Sequence, residues 1–448
     1  MKLFEEFKSS TAQDWENKIL KDLKLSSLND LIKNQNGIKI HPFYTAEHSA
    51  YSPINTRSEQ GWETCETIIV RDEKAANKQA LNALSGGVSG LIFEIHKKTD
   101  LNTLLKNIEL ENIYTQFNIS NDSLYVLDEL QKKYLYKNQF NSRTTCYINI
   151  DPLRLALQFG EWHKNEEADL KITKQLKHIS VQASIYKEGG ANRITELALA
   201  LAHLNEYLNN IDDKILKNYQ KIHVQFSIDG DFFGEIAKLR AFRLLVSFLL
   251  EQYKIEIPLH MHAQTARINK STMDANTNLL RTTTEAMSAI LGGSDSISVH
   301  PYFTNTELTE EFSNRIARNQ LLILKEESYL GVVSDAASGS YYLDAYTKQM
   351  AEAAWKLFQQ IEKEGGFLKG IKNNTVQDLI ENDANQQLIE VNEGKKTLIG
   401  VNKYLNKNEG TLKTELSKPE NTEGIIKRVL PIRLAKSIEN GKNATPVK

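Results

Sequence analysis

Eight short apolar runs recur along the middle of the chain, each followed by a helical pattern, and this alternation constrains the fold more than any other feature. The runs are 66–70, 91–95, 113–119, 145–150, 179–184, 222–228, 255–262 and 296–300. Between them lie stretches such as 231–250, with apolar residues at spacings of three and four. Strand followed by helix, repeated eight times, predicts a parallel sheet closed into a (β/α)8 barrel. Connections of this length suit right-handed crossovers.

Side chains alternate faces along a strand, so each run divides in two. In the sixth run Ile222, Val224, Phe226 and Ile228 share one face, and His223, Gln225 and Ser227 the other. The fifth run sets Val181 and Ala183 against Ser180, Gln182 and Ser184. The seventh places His260 and His262 opposite Leu259 and Met261, and Gln264 continues the polar face. The eighth opposes Ile297 and Val299 to Ser296, Ser298 and His300. Glu94 with His96, Gln116 with Asn118, and Asn149 with Asp151 repeat the theme. In a barrel the apolar face meets the helix layer, so the polar face points inward, where most barrels carry Val, Ile and Leu. Such a lumen needs hydrogen-bond partners, because unpaired buried polar groups are costly. Two readings follow from the residues alone. The lumen accepts, or descends from one that accepted, a long polar ligand; or it is a self-satisfied network with ordered water. The candidate lumen residues are His223, Gln225, His260, His262, Gln264 and His300.

The flanks do not follow the repeat. Ser10 or Thr11 is placed to cap a helix beginning near Ala12. An extended stretch, 37–45, contains Pro42. Residues 1–60 therefore read as an arm that buries its apolar residues only against something else. The barrel spans 61–345, and 346–448 form an extension with a helix over 350–364, polar segments from Ile371 and a frayed end at 440–448.

With 448 residues and 40% apolar content, the chain has enough for a sizeable core. Lys+Arg 55 against Asp+Glu 57 leaves a net charge of −2. That balance gives no overall attraction to nucleic acid or acidic membranes. No apolar stretch is long enough to span a bilayer, and MKLFEEFKSS lacks the apolar core of a leader. Cys65 and Cys146 form neither a CxxC nor a zinc spacing. A cytoplasmic setting is expected.

A metal centre is the sharpest alternative chemistry. His260-x-His262, with His223, Asp229 and His300 nearby, is the kind of cluster that metal-dependent hydrolases build on barrels. Against it, an HxH on a strand is weakly specific. Gly189-Gly190 and Gly292-Gly293 make no phosphate-binding pattern and suit tight turns or close packing. No GxSxG elbow is present.

Several segments resemble the methylmalonyl-CoA mutase family. They are Asp231-Phe-Phe-Gly-Glu-Ile-Ala-Lys-Leu-Arg-Ala241, His262-Ala-Gln-Thr265, and Asn278-Leu-Leu-Arg-Thr-Thr-Thr-Glu-Ala-Met287 with Gly292-Gly293. Phe312-Ser-Asn-Arg-Ile-Ala-Arg-Asn319 with Glu326-Glu327, Gly339-Ser-Tyr-Tyr342 and Gly400-Val-Asn-Lys-Tyr404 continue the series, and Pro42-Phe-Tyr-Thr45 echoes the family's arm. The resemblance runs from about residue 40 to about residue 404.

The departures carry the functional expectation. Catalytic members of the family carry a Tyr-His pair shortly before an E-A-G-A segment. Here Glu188-Gly-Gly-Ala191 keeps the segment, and Ser184-Ile185 replaces the pair. Isoleucine neither donates a proton nor hydrogen-bonds a thioester carbonyl. The family's Q-N-D…K-E…R run is replaced by Asn149-Ile-Asp-Pro-Leu-Arg-Leu-Ala156; Arg154 is the nearest cation, without an assigned role. Lys221, His223 and Gln225 stand where catalytic chains carry R-x-S-x-F, and His260 stands where they carry arginine. Cobalamin-binding members use D-x-H-x-x-G, and none of the ten histidines here has Asp two residues before it. After Tyr404 only 405–448 remain, fewer than the roughly 50 residues of a small domain.

The resemblance thus implies a non-catalytic small subunit, with no catalytic residue and no flavodoxin-like cobalamin domain of its own. It would pair as a heterodimer with a homologous large subunit. That partner would bind adenosylcobalamin and the acyl-CoA, and interconvert (R)-methylmalonyl-CoA and succinyl-CoA. The alternative is the catalytic barrel of a split mutase served by a separate cobalamin-binding chain. A third is a mutase for another acyl-CoA, such as isobutyryl- or ethylmalonyl-CoA, and a metal-dependent hydrolase is the distant fourth.

Overall fold

The computed structural model describes residues 10–48, 57, 61–120, 125–132, 146–176, 178–212, 216, 219–302, 311–406 and 424–441. Eight parallel strands form one sheet: β1 (Glu63–Ile69), β2 (Gly90–Ile95), β3 (Tyr114–Ile119), β4 (Cys146–Asn149), β5 (His178–Val181), β6 (Lys221–Ile228), β7 (Leu259–Thr265) and β8 (Ser296–Ser298). Their order is β4-β3-β2-β1-β8-β7-β6-β5. β8 hydrogen-bonds both β1 and β7, which closes the ring of strands there. The predicted α/β barrel is the fold, with one seam. Among the described residues β4 and β5 share no ladder. Asp151 accepts the N–H of Gln182 across the seam at 2.7 Å.

Two apolar layers separate the strands from their helices. Ile222, Val224, Phe226 and Ile228 are fully buried against the helices Arg193–Asn209 and Phe232–Tyr253, with Phe226 edge-on to Phe242. Asp231 caps the second of these helices by accepting Gly234 N–H at 3.1 Å, and Lys254 ends it in a left-handed conformation. On the other side Leu91, Phe93, Phe117 and Ile148 form a second cluster.

Several boundaries differ from the sequence reading. The fifth strand ends at Val181, because Ser184–Gly189 turns at once into a helix. The seventh begins at Leu259 rather than 255. Tyr341–Lys363 is one helix, capped by Ser340, and Met350, Ala354, Phe358 and Ile361 bury into the same layer as the barrel helices. Thr375–Asn392, read only as polar segments, is helical with Val376, Ile380, Ala384 and Val391 buried. Four apolar contacts spread over many Asn and Gln residues suffice once a neighbour is present. At the amino end Thr11 forms a reciprocal capping box with Asp14 for the helix Ala12–Leu23. A hairpin follows, Lys33–Gln35 paired with Ile38–Ile40. Residues 1–9 and 442–448 lie outside the described residues, as does Thr145, the first residue of the fourth run. No described helix is long and apolar enough to cross a membrane.

Candidate functional site

The inward faces of the strands build the lumen. All six candidates from the sequence lie on it or at its mouth. His223 Nε2 meets Tyr114 Oη at 3.1 Å, and Gln225 Oε1 accepts Gln116 Nε2–H at 2.9 Å. Gln116 also donates to Asn118 Oδ1 at 2.8 Å, and Asn118 Nδ2–H donates to Glu94 at 2.6 Å. His260 Nε2 and His262 Nδ1 both lie 2.9 Å from Ser296 Oγ, and His262 Nε2 is 3.1 Å from Ser298 Oγ. Gln264 donates to Thr67 at 3.3 Å. His300 lines the mouth, its N–H donating to Thr265 Oγ1 at 2.9 Å.

Two residues that the sequence reading passed over fill the barrel axis. Tyr114 stacks on His260 at 5.2 Å between ring centroids, and His260 on His223 at 5.3 Å. Tyr147 lies 4.4 Å from His223 and 5.0 Å from His260. The four rings pack against one another at mid-lumen. The period-two spacing Tyr114, Gln116, Asn118 and Tyr147, Asn149, Asp151 carried the signal for both tyrosines.

Burial dominates the electrostatics here. It holds His178 and His260 down at about 4 and His262 at about 3, and it pushes His223 and His300 well below the usual histidine range. These rings are neutral at neutral pH. Ser296 and Ser298 engage both ring nitrogens of His262, and Ser296 engages Nε2 of His260. Among the described residues no three of His, Cys, Asp and Glu converge as metal ligands.

Above the rings, at the C-terminal ends of the strands, lies a cavity of about 270 Å³. Ser184 and Ile185 line it from the first turn after β5, opposite Glu94 and His96. Arg154 lines it as well, and burial lowers its pKa while Glu94 and Asp151 raise it. Glu188 accepts Ser227 Oγ–H at 2.9 Å and the N–H of Arg267 at 3.0 Å, so it ties the ends of β6 and β7 together.

The segment 424–434 crosses this mouth. Its backbone donates from Ile426 to Gly160 O at 2.9 Å, from Val429 to Leu157 O at 2.8 Å, from Ile432 to Glu188 O at 2.8 Å and from Leu434 to Ile268 O at 2.9 Å. It thereby straps the loops after β4, β5 and β7, and Val429 and Pro431 form part of the cavity wall. Gly189 makes the approach possible, since a Cβ there would meet Val429 Cγ1 at 2.6 Å.

The remaining motifs act as clasps. Lys238 is fully buried and bonds Glu196 at 2.9 Å. Lys270 pairs with Glu285 at 2.7 Å, and Arg318 with Glu66 at 2.7 Å. Arg281 donates to Ile399 O at 2.6 Å, holding the loop that carries Gly400 and Asn402.

The family model described as methylmalonyl-CoA mutase matches residues 79–444. A methylmalonyl-CoA mutase small subunit of Porphyromonas gingivalis is 32% identical over 472 residues, which cover 97% of this chain and 76% of that protein. A methylmalonyl-CoA mutase of Rhizobium meliloti is 27% identical, over 89% of this chain and 64% of its own length. The methylmalonyl-CoA mutase large subunit of Propionibacterium freudenreichii subsp. shermanii is 34% identical over 50% of this chain and 32% of that one.

Proposed function

Since the chain belongs to the methylmalonyl-CoA mutase family, we propose that it is the non-catalytic small subunit of a heterodimeric mutase, stabilising a homologous large subunit that carries the chemistry. The observation that bears most weight is the mouth of the barrel. Barrel enzymes assemble their reacting groups at the C-terminal ends of the strands. At the end of β5 this chain offers Ser184 and Ile185, where the family resemblance places a proton-donating Tyr-His pair. A hydrocarbon side chain stabilises no developing charge and moves no proton.

Three further features support this reading. The strap 424–434 crosses the mouth, the face a corrin would have to approach, in line with adenosylcobalamin residing on the large chain. Tyr114, Tyr147, His223 and His260 fill the axis that a coenzyme A arm would follow, in line with the acyl-CoA being bound by the partner. The helix Ala12–Leu23 buries none of its residues, and a helix of 12 residues is marginal alone in water. Trp15 of this helix stacks on Phe43 at 4.4 Å within the arm, and a partner wrapped by residues 1–60 would cover the rest of its apolar face. Retained His262, Gln264 and Glu188 favour the rival, a catalytic barrel served by a separate cobalamin chain, but Ile185 leaves that barrel without its acid.

Co-expression of the two homologous chains tests the assembly. A one-to-one complex is expected on gel filtration, and deleting residues 1–45 should weaken it. Independent elution of the full-length chains would contradict the proposal.

A further inference from the structure

A second cavity, of about 480 Å³, lies beside the mouth, between the loops after β5, β6 and β7, the loop 393–399 and the tip of the arm hairpin at Asn34–Asn36. Its size falls within the roughly 300–1,000 Å³ of small-molecule sites. Four cations line it: Lys187, Arg193, Arg281 and Lys396.

The inner two are already matched. Lys187 bonds Asp229 at 2.9 Å, and Arg193 bonds Asp231 and lies 3.5 Å from Asp229. The outer two are not. Lys396 Nζ donates to the neutral amide of Gln387 at 2.8 Å, and Arg281 donates to the side-chain oxygen of Asn278 at 2.7 Å and to Ile399 O. Among the described residues neither has a carboxylate at ion-pair distance. The third lining carboxylate, Glu390, accepts the amide of Gln386 at 2.9 Å. Burial, joined at Lys396 by the neighbouring Lys187 and Arg193, lowers the pKa of both Lys396 and Arg281 by more than Asp229 and Glu390 raise the first or Glu285 and Asp274 the second, the sign of cations held out of water without full compensation. An oxyanion between them restores that compensation with charge-assisted hydrogen bonds.

We propose that this cavity is a binding site for a small oxyanion, a phosphate- or carboxylate-bearing metabolite, held by Lys396 and Arg281. The site is separate from the barrel axis and independent of the subunit assignment. Because Asn34, Gln35 and Asn36 form one wall, an occupant also bridges the arm to the barrel.

Isothermal titration of the full chain with inorganic phosphate, and separately with malonate, tests the site at constant ionic strength with chloride as the reference ion. Saturable one-to-one binding of at least one anion is expected, weakened tenfold or more in Lys396→Gln and kept in Lys396→Arg. Phosphate-only or malonate-only binding assigns the headgroup. A variant-free check is the rate at which an amine reagent labels Lys396 in the wild-type chain, which the bound anion should slow. Absence of saturable binding, equal binding by wild type and Lys396→Gln, or labelling unchanged by either anion would overturn the proposal.

Discussion

Asp151, just beyond β4, accepts the backbone N–H of Gln182, just beyond β5, at 2.7 Å, across the seam where the described strands share no ladder. The same carboxylate accepts Tyr207 Oη–H at 2.6 Å and the N–H of Arg154 at 3.0 Å, and lies 2.9 Å from His203 Nε2. One side chain thus closes the barrel, caps the helix Pro152–Phe159 and anchors the helix Arg193–Asn209. Asp151→Ala strips a partner from each, and removing one member of such a buried network costs roughly 3 kcal/mol or more. Urea unfolding should show a loss of that order, with a smaller loss for Asp151→Asn, which keeps the size and the cap. Burial raises the Asp151 pKa, but His203 and the hydrogen bonds bring it below the usual carboxylate value. Its contribution is therefore present above the ordinary Asp range and is lost only in stronger acid.

The lumen histidines lose stability in a different window. Their folded pKa values, about 4 for His178 and His260 and about 3 for His262, lie below the unfolded value of 6.5. Between these limits the unfolded chain binds more protons, so stability falls as pH falls and is full above about pH 6.5. Each of the three should cost ~2 kcal/mol at pH 5 relative to pH 8. Unfolding free energies measured from pH 8 to 4.5 should drop steeply below 6.5, with a shallower slope in His262→Asn. A flat profile would mean these rings are not held neutral.

Gly189→Val places a Cβ at 2.6 Å from Val429 Cγ1 and 3.0 Å from Ile380 Cγ2. Overpacking of this kind costs about 1–3 kcal/mol. The strap 424–434 should lift before the barrel yields, so limited proteolysis should cut the variant within it while the wild type resists.

The ring cluster at mid-lumen predicts that the isolated chain does not bind coenzyme A. Titration to about 1 mM, the range of a free energy near −4 kcal/mol, should give no saturable signal. Tyr147→Ala in the same assay would show whether the tyrosine is the plug.

The barrel was legible because its strands carry two incompatible faces, and Ile222 to Ile228 could only be sorted by putting His223, Gln225 and Ser227 inside. Local pattern also narrowed the first cap to Ser10 or Thr11, and Thr11 takes the role. The aromatic plug was written in the same alternation, but Tyr114 and Tyr147 read as ordinary strand residues until opposite strands faced them with His260 and His223. The strap was not legible at all. Ile426, Val429 and Leu434 have no periodicity, and their backbone partners Gly160, Leu157 and Ile268 lie far away in sequence. The helix Thr375–Asn392 was hidden by its composition, because its buried stripe is narrow. Gly189 was read as a turn or packing residue, and only the fold identifies Val429 as what it packs against.

Mutase turnover with adenosylcobalamin and methylmalonyl-CoA addresses the assignment most directly, measured for this chain alone, with a free cobalamin-binding domain, and with its co-expressed large homologue. A chain whose mouth carries Ser184 and Ile185 in place of a proton donor should be silent in the first two cases and should co-elute with activity in the third. Turnover by this chain with only the free cobalamin-binding domain would contradict the account, because the chemistry would then occur in this barrel.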